Sequence, residues 1–282
     1  MRTSLAFRVF IYAAAMFASV VILAPFAWLI ISSVAAPADL LTKPLRWIPA
    51  HASLSRYAAI FLGSNSETVA TFRAAMVNST IVAASSVLIS LGVGIFGAYA
   101  FARLQFRFQR GILLLFLSTY MLPPIAILIS LYLTMVQLHL LDTKLGLILV
   151  YCSFITPFVL WIMSGYFRSI PRDLEDAARI DGCSRVGALF RVVLPLARPG
   201  LLATALFGFL LAWDEFLYAL VFTSSLSSKT IPVAIAEFTG RHAVDFGLMA
   251  TGGVVASLPP LVIAFVFQRY IVGGLASGAV KG

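Results

Sequence analysis

Long apolar blocks dominate this sequence and restrict what the chain can fold into. A helix needs about 20 consecutive apolar residues to cross the hydrocarbon core of a bilayer. Six runs of at least this length are present, and we predict a membrane-spanning helix for each of them: about 9–34, 75–102, 111–137, 146–167, 200–222 and 248–272. The alternating segments of a membrane β-barrel are not seen. The sequence therefore predicts an all-α membrane protein with six transmembrane helices.

The composition leads to the same fold class. Of the 282 residues, 61% are hydrophobic and 11% are charged, whereas soluble domains usually carry about 25% charged residues. We predict a single transmembrane domain over residues 1–282, since the loops leave no room for a soluble domain of ordinary size. The net charge of +9 comes from arginines that flank the apolar blocks. They do not form one basic tract, which argues against nucleic-acid binding.

The distribution of basic residues predicts the orientation of the chain. The short connection 103–110 contains three arginines and no acidic residue. If the N-terminus is cytoplasmic, 13 of the 20 Lys and Arg residues lie in inside segments, as the positive-inside rule requires. Both termini are then cytoplasmic. The first apolar run is too long for a cleavable signal peptide, so we expect it to remain as the first membrane helix.

Residues that carry chemistry are sparse. His51, His139 and His242 are scattered, and Cys152 and Cys183 cannot define a disulfide framework. We predict no metal site and no catalytic residues, because a membrane enzyme would need a clustered site. No Walker A pattern is present in the sequence, so the chain has no nucleotide-binding loop of its own. We therefore expect no cofactor bound by this chain.

Small residues recur every four positions on the second predicted helix. They are Ser90, Gly94, Ala98 and Ala102. A stripe of this kind lets two helices approach closely. It predicts a packing face and gives no information about a substrate.

The cytoplasmic segment 168–199 is longer than a simple connection requires. Pro171 is followed by three acidic residues, which suit the first turn of a helix. Gly182 can end this helix, and Ser184 can cap a second one. An apolar stripe then follows at helical spacing: Val186, Leu189, Phe190 and Val193. Two short helices result, which could dock on a cytoplasmic partner or lie on the membrane surface.

The motif in this segment resembles that of a known family. The pattern Asp176-Ala-Ala-x-x-Asp-Gly182, with Pro195 thirteen residues later, is similar to the EAA loop of ABC importer permeases. In that family the loop forms a coupling helix that docks on the ATPase subunit. The resemblance implies these ATPase-coupling residues: Glu175, Asp176, Ala177, Ala178, Asp181 and Gly182. One departure is Asp at position 176, where the family has Glu, so we expect docking with a shorter reach.

Two further segments resemble the carbohydrate-importer permeases of the MalG type. The tail 274–282 resembles one that reaches between the two ATPase subunits, which implies contacts from these residues: Gly278, Ala279, Val280, Lys281 and Gly282. The segment Trp213-Asp-Glu-Phe-Leu217 resembles a Trp-Asn-Glu-Phe pattern, with Asp214 in place of Asn. Trp213, Asp214 and Glu215 are therefore substrate-path candidates. The alternative is a solvated or paired helix end.

The resemblance implies a function and a set of partners. The chain would be the permease subunit of an ATP-driven, binding-protein-dependent importer of a sugar or sugar-derived solute, in the inner membrane of a bacterium. It would pair with a second homologous permease and two ATPase subunits that bind ATP and Mg, and the external loop 223–247 would contact a solute-binding protein. The alternative is an ion-coupled secondary transporter. Such a protein needs buried acidic or histidine relays, and only Asp214 and Glu215 offer any.

Overall fold

The computed structural model describes residues 5–42, 46–63, 67–238 and 245–279, and most of them are helical. The helices are α1 Leu5–Val34, α2 Pro37–Leu40, α3 Ser55–Leu62, α4 Glu67–Arg103, α5 Gln109–Ser118, α6 Pro124–Gln137, α7 Lys144–Ser169, α8 Arg172–Ile180, α9 Arg185–Ala188, α10 Leu194–Leu196, α11 Arg198–Trp213, α12 Leu217–Phe222, α13 Ile231–Ala236 and α14 Phe246–Ala279. A 3₁₀ turn, Thr119–Met121, follows α5, and a π-helical turn, Leu189–Val193, follows α9.

Four helical segments are long and apolar enough to cross a membrane: Leu5–Val34, Val69–Arg103, Lys144–Ser169 and Phe246–Gln268. Two further spans arise if each bent pair of helices counts as one. These pairs are Gln109–Met121 with Pro124–Gln137, bent by 95°, and Arg185–Leu196 with Arg198–Trp213, bent by 80°. The described chain therefore has four to six candidate spans, which agrees with the predicted fold class.

The predicted continuous third and fifth helices were wrong in detail. Helix 111–137 is broken because Pro123 and Pro124 donate no backbone N–H, and Pro124 begins a new helix instead. Helix 200–222 begins at Arg198, ends at Trp213 and resumes at Leu217. By contrast, α1 and α7 continue through their internal prolines, Pro25 and Pro157, as membrane helices often do.

The chain forms two compact units, and the first comprises Met1–Arg73 and Ala234–Leu258. Arg56 makes several of the polar contacts within this unit. One guanidinium nitrogen donates to the carbonyl oxygens of Ser33 at 3.2 Å and Ala35 at 2.8 Å. The Thr251 hydroxyl also donates to the Ser33 carbonyl, at 3.2 Å. These bonds satisfy backbone groups at the end of α1, where the helix leaves carbonyls without an intrahelical partner.

The second unit comprises Ala74–Val233 and Pro259–Gly282, and α7 contributes many of the buried residues of its core. Fully buried side chains follow one face of α7: Tyr151, Ile155, Val159, Met163 and Phe167. Helix α11 packs on this face, and the Thr204 hydroxyl lies 3.5 Å from the Met163 sulfur.

Helix α4 packs on α7 through the small-residue stripe. Ser90 and Ala98 are fully buried, and the Thr156 hydroxyl donates to the Ser90 hydroxyl at 3.1 Å. A Cβ atom added at Gly94 would lie 2.5 Å from a methyl carbon of Val159. The predicted packing face is thereby confirmed.

We expect Gly94→Val to destabilise the protein, because its side chain would overlap Val159 across the α4–α7 contact. Overpacking of this kind typically costs about 1–3 kcal/mol. The thermal unfolding midpoint of the purified protein in detergent measures the effect. Gly92→Val is the matched control, since a Cβ at Gly92 meets nothing within 4 Å and the change in helix propensity is the same. Equal losses at the two positions would contradict the close α4–α7 contact.

Candidate functional site

The segment after α7 forms the two short helices that the sequence predicts. Helix α8 begins after Pro171 and carries Asp173 and Glu175 in its first turn. It ends at Ile180, with Asp181 as its C-cap, and Gly182 follows with a φ of 90°, in the left-handed region that glycine adopts readily. The Ser184 hydroxyl then accepts a hydrogen bond from the Gly187 N–H at 3.0 Å and caps α9. Local signals therefore set both helix boundaries.

The second apolar stripe is only half buried. Leu189 and Val193 are buried, whereas Val186 and Phe190 are 55% and 48% exposed. A π-helical turn spans Leu189–Val193 and alters the spacing of side chains around the helix. The four side chains therefore do not form one buried face, since only Leu189 and Val193 are buried. Phe190 instead lies against Phe96, with ring centroids 5.9 Å apart.

Glu175 faces α4 and is turned away from solvent. It is 8% exposed, and the Tyr99 hydroxyl donates to its Oε1. Its Oε2 lies 2.9 Å from Nε of Arg103. Among the described residues, neither Oε2 of Glu175 nor Nε of Arg103 has a hydrogen-bond partner, so the ion pair is the interaction that these two atoms make. Tyr99 and Arg103 are one turn apart on one face of α4, so α8 is attached to the last turn of a membrane helix.

The opposite face of α8 is exposed. Asp176 and Ala177 point away from the chain, and Ala178 is half buried. Asp176 forms an exposed ion pair with Arg179 at 3.7 Å. Ile180 is 88% exposed, and Asp181 is exposed beside it. A small, partly apolar surface with a charged rim results, which is typical of a surface that binds another protein.

The three substrate-path candidates have different surroundings in the structure. Trp213 is 4% exposed and its ring stacks on Phe209 with centroids 5.3 Å apart. Glu215 accepts hydrogen bonds from the N–H of Tyr218 at 2.8 Å and of Ala219 at 3.1 Å. It therefore caps α12, and the Tyr151 hydroxyl donates to it at 2.7 Å.

Asp214 is exposed at the end of α11. With Glu215 it lines an open cavity of about 350 Å³, whose remaining wall is apolar: Phe207, Leu210 and Leu211. Of the three candidates, only Asp214 is exposed. Trp213 packs within the protein and Glu215 holds the break between two helices.

An aspartate outside the membrane spans fixes the loop after α12. Oδ1 of Asp142 accepts hydrogen bonds from the N–H of Ser224 at 2.8 Å and of Ser225 at 2.9 Å, and from the Ser228 hydroxyl. Burial alone would raise the pKa of this carboxyl, but the hydrogen bonds outweigh burial and hold the pKa well below its usual range. Asp142 therefore stays ionised and keeps the loop ordered.

Asn78 and Lys144 hold the same loop from two other helices. The Asn78 amide donates to the carbonyl oxygens of Leu226 at 3.0 Å and Lys229 at 2.9 Å. The Lys144 ammonium donates to the Asn78 side-chain oxygen at 3.1 Å and the Ser227 carbonyl at 2.7 Å. Sequence reasoning missed these residues, because their partners lie far away along the chain.

Some predicted contact residues cannot be placed. Gly278 and Ala279 are the last backbone positions of α14. Val280, Lys281 and Gly282 lie outside the described residues, as do Arg241 and His242 of the predicted external loop.

Comparison with known proteins identifies the family. The profile of the family described as "binding-protein-dependent transport system inner membrane component" matches residues 90–276. The sulfoquinovosyl glycerol transport system permease protein SmoH of Agrobacterium fabrum is 36% identical over 92% of this chain and 88% of its own length. The trehalose/maltose transport system permease protein MalG of Thermococcus litoralis is 34% identical over the whole of both chains.

A solved structure shares the fold. It is a crystal structure of a bacterial ABC transporter involved in the import of the acidic polysaccharide alginate, with a TM-score of 0.76 over 96% of this chain and 99% of that chain. The two sequences are 22% identical. The family match confirms the resemblance found in the sequence motifs and decides against an ion-coupled secondary transporter. The chain belongs to the binding-protein-dependent transport system inner membrane components, and it is a multi-pass permease subunit of an ABC importer, not a catalytic subunit.

Proposed function

We propose that this permease imports a sugar or a sugar-derived solute across a bacterial inner membrane, with both termini in the cytoplasm. Two relatives named for sulfoquinovosyl glycerol and for trehalose and maltose support the solute class. The excess of arginines at the inner ends of the spans supports the orientation. The observation that carries the transport mechanism is the two-sided helix α8, with one face attached to α4 and the other exposed.

The exposed face of α8 is the proposed contact with an ATPase subunit. Ala177 and Ala178 let a partner surface approach the backbone closely, and Asp176 and Asp181 supply charge at the rim. The tail 278–282 would make a second contact, between the two ATPase subunits. ATP and Mg would be bound by those subunits. A second homologous permease would complete the membrane part of the complex.

The buried face of α8 would carry the motion into the membrane. When ATP binding draws the ATPase subunits together, α8 moves with the subunit on which it docks. The contacts of Glu175 with Tyr99 and Arg103 then pass this displacement to α4. ATP binding shifts the population between two states of the permease only if it favours one of them, and this attachment provides the link.

Two features would contact the binding protein and the solute. The loop after α12, ordered by Asp142, presents a fixed surface to a solute-binding protein. Rim charges on such a surface govern orientation and association rate more than affinity. The Asp214 carboxylate, in its open cavity, can accept hydrogen bonds from the hydroxyl groups of a sugar.

Purification from native membranes under mild detergent, followed by reconstitution, tests the proposal. We expect an ATPase and a second permease to co-purify with the chain. With the cognate binding protein added, vesicles should take up a labelled sugar such as maltose, trehalose or sulfoquinovosyl glycerol only when ATP is present. Vesicles loaded with a non-hydrolysable ATP analogue are the control. Recovery of the chain alone in several mild detergents, or uptake that does not depend on ATP, would contradict the proposal.

A further inference from the structure

A basic cavity lies where the inner ends of α4, α5 and α7 meet the start of α8. Its volume is about 600 Å³. Three arginines line it: Arg110 in the first turn of α5, Arg168 in the last turn of α7 and Arg172 at the start of α8. None of the described residues in its walls is acidic. Three guanidinium groups thus share one cavity without a carboxylate.

Within the described parts of the chain, the three arginines of this cavity form no ion pair, although Arg172 also lines a neighbouring cavity with Glu175 and Asp176. Arg168 donates a hydrogen bond to the Phe101 carbonyl oxygen at 3.1 Å. This bond uses one of its N–H groups but does not neutralise its positive charge. Arg110 and Arg172 form no ion pair with any described acidic residue. The neighbouring arginines differ. Arg103 is paired with Glu175, and the Arg107 guanidinium lies 5.0 Å from the centre of the Phe108 ring, outside the cavity.

The rest of the cavity wall is apolar and runs toward the membrane interior. Leu113, Leu114 and Leu117 follow Arg110 at i+3, i+4 and i+7, so the four side chains share one face of α5. Trp161 on α7 faces the same space. Leu114 is 64% exposed and Trp161 is 50% exposed. The cavity therefore combines a cationic end with an open hydrocarbon wall two helical turns long.

We propose that this cavity binds an anionic phospholipid of the cytoplasmic leaflet, with the phosphate among the arginines and an acyl chain along the leucine wall. Guanidinium groups form bidentate hydrogen bonds to phosphate oxygens, and they are more weakly hydrated than ammonium groups. Basic pockets between membrane helices on the cytoplasmic side suit lipid headgroups. A soluble anion would use only the arginines and leave the apolar wall exposed. The inference rests on the proposed orientation, which places the arginine-rich end inside.

Native mass spectrometry of the purified transporter complex tests this inference. We expect the complex to retain phosphatidylglycerol in preference to phosphatidylcholine when both are supplied in equal amounts. The double variant Arg110→Gln/Arg172→Gln should bind phosphatidylglycerol roughly thirtyfold more weakly, from the typical contribution of two basic residues at a membrane surface. Arg107→Gln is the matched control, because it removes a charge from the same connection but not from the cavity, and it should bind as the unmodified complex does.

A conservative variant distinguishes a specific loss of lipid binding from a loss of folding. Arg110→Lys/Arg172→Lys keeps both charges, so it should recover most of the binding lost with glutamine. Equal retention of the two lipids, equal losses in Arg107→Gln and the double glutamine variant, or displacement of the lipid by millimolar inorganic phosphate would each overturn the inference. The measurement needs neither solute nor binding protein. A wrong sugar assignment would therefore leave its result unchanged.

Discussion

Replacement of Gly182 by valine should abolish ATP-driven uptake while the chain still inserts into the membrane. Gly182 has a φ of 90°, and a Cβ atom built there meets nothing within 4 Å. The obstacle to a side chain is therefore the backbone conformation and not a lack of space. A β-branched residue held in that region costs on the order of 1–3 kcal/mol. The turn would rearrange to avoid this cost and change the angle between α8 and α9.

Gly182→Asn provides the control at the same position. Asparagine tolerates the left-handed region far better than valine, and the open space accepts its side chain. We expect it to keep most of the uptake. Uptake by reconstituted vesicles, per amount of complex, is the measurement, with alkaline extraction of membranes to confirm insertion. Normal uptake in the valine variant, or equal failure of both variants, would contradict the role of this turn.

The sequence predicted this part of the site because its determinants are local. The acids of α8, the glycine that follows it and the serine that caps α9 all act on backbone groups within a few residues of themselves. The apolar blocks are local signals as well. They located α1, α4, α7 and α14 to within several residues.

Other features could not be predicted, because they depend on residues distant in the chain. Nothing near Glu175 indicates that its partner is Tyr99, which lies 76 residues away, and Asp142 meets Ser228 across 86 residues. The fifth helix was predicted to continue through Asp214 because the stretches on both sides of it are mostly apolar. Hydropathy alone does not indicate where a helix is capped. Glu215 starts a new helix by binding two backbone N–H groups. The third helix was predicted to continue through Pro123 and Pro124, because membrane helices tolerate internal prolines, whereas the structure bends there by 95°.

Replacement of Glu175 by glutamine should uncouple ATP hydrolysis from uptake. Glutamine has the same shape and can still accept the Tyr99 hydrogen bond, but it cannot neutralise Arg103, whose side chain is 6% exposed. Leaving one partner of a buried pair without its counter-charge typically costs about 3–5 kcal/mol. The attachment of α8 to α4 should therefore loosen. Since about 1.4 kcal/mol already shifts an equilibrium tenfold, we expect uptake to fall by at least that factor.

The ratio of ATP hydrolysed to solute imported distinguishes this effect from weak docking. In Glu175→Gln the outer face of α8 is intact, so the ATPase should stay bound and hydrolysis should continue while uptake is lost. Asp176→Asn is the matched control on the neighbouring residue. Its ion pair with Arg179 is 64% and 44% exposed and is worth at most about 1 kcal/mol. It should lower recovery of the ATPase without changing the ratio.

The double variant Glu175→Gln/Arg103→Gln separates coupling from stability. Removing both charges leaves no unpaired ion, so the thermal stability of the complex should recover. Uptake should not recover, because two neutral amides hold α8 to α4 less strongly than the charged pair. A stable but uncoupled double variant would place the transmission of force in the Glu175–Arg103 contact itself. Full uptake in that variant would show instead that the packing of α8 against α4 is sufficient for coupling. The two charges would then serve only to neutralise each other.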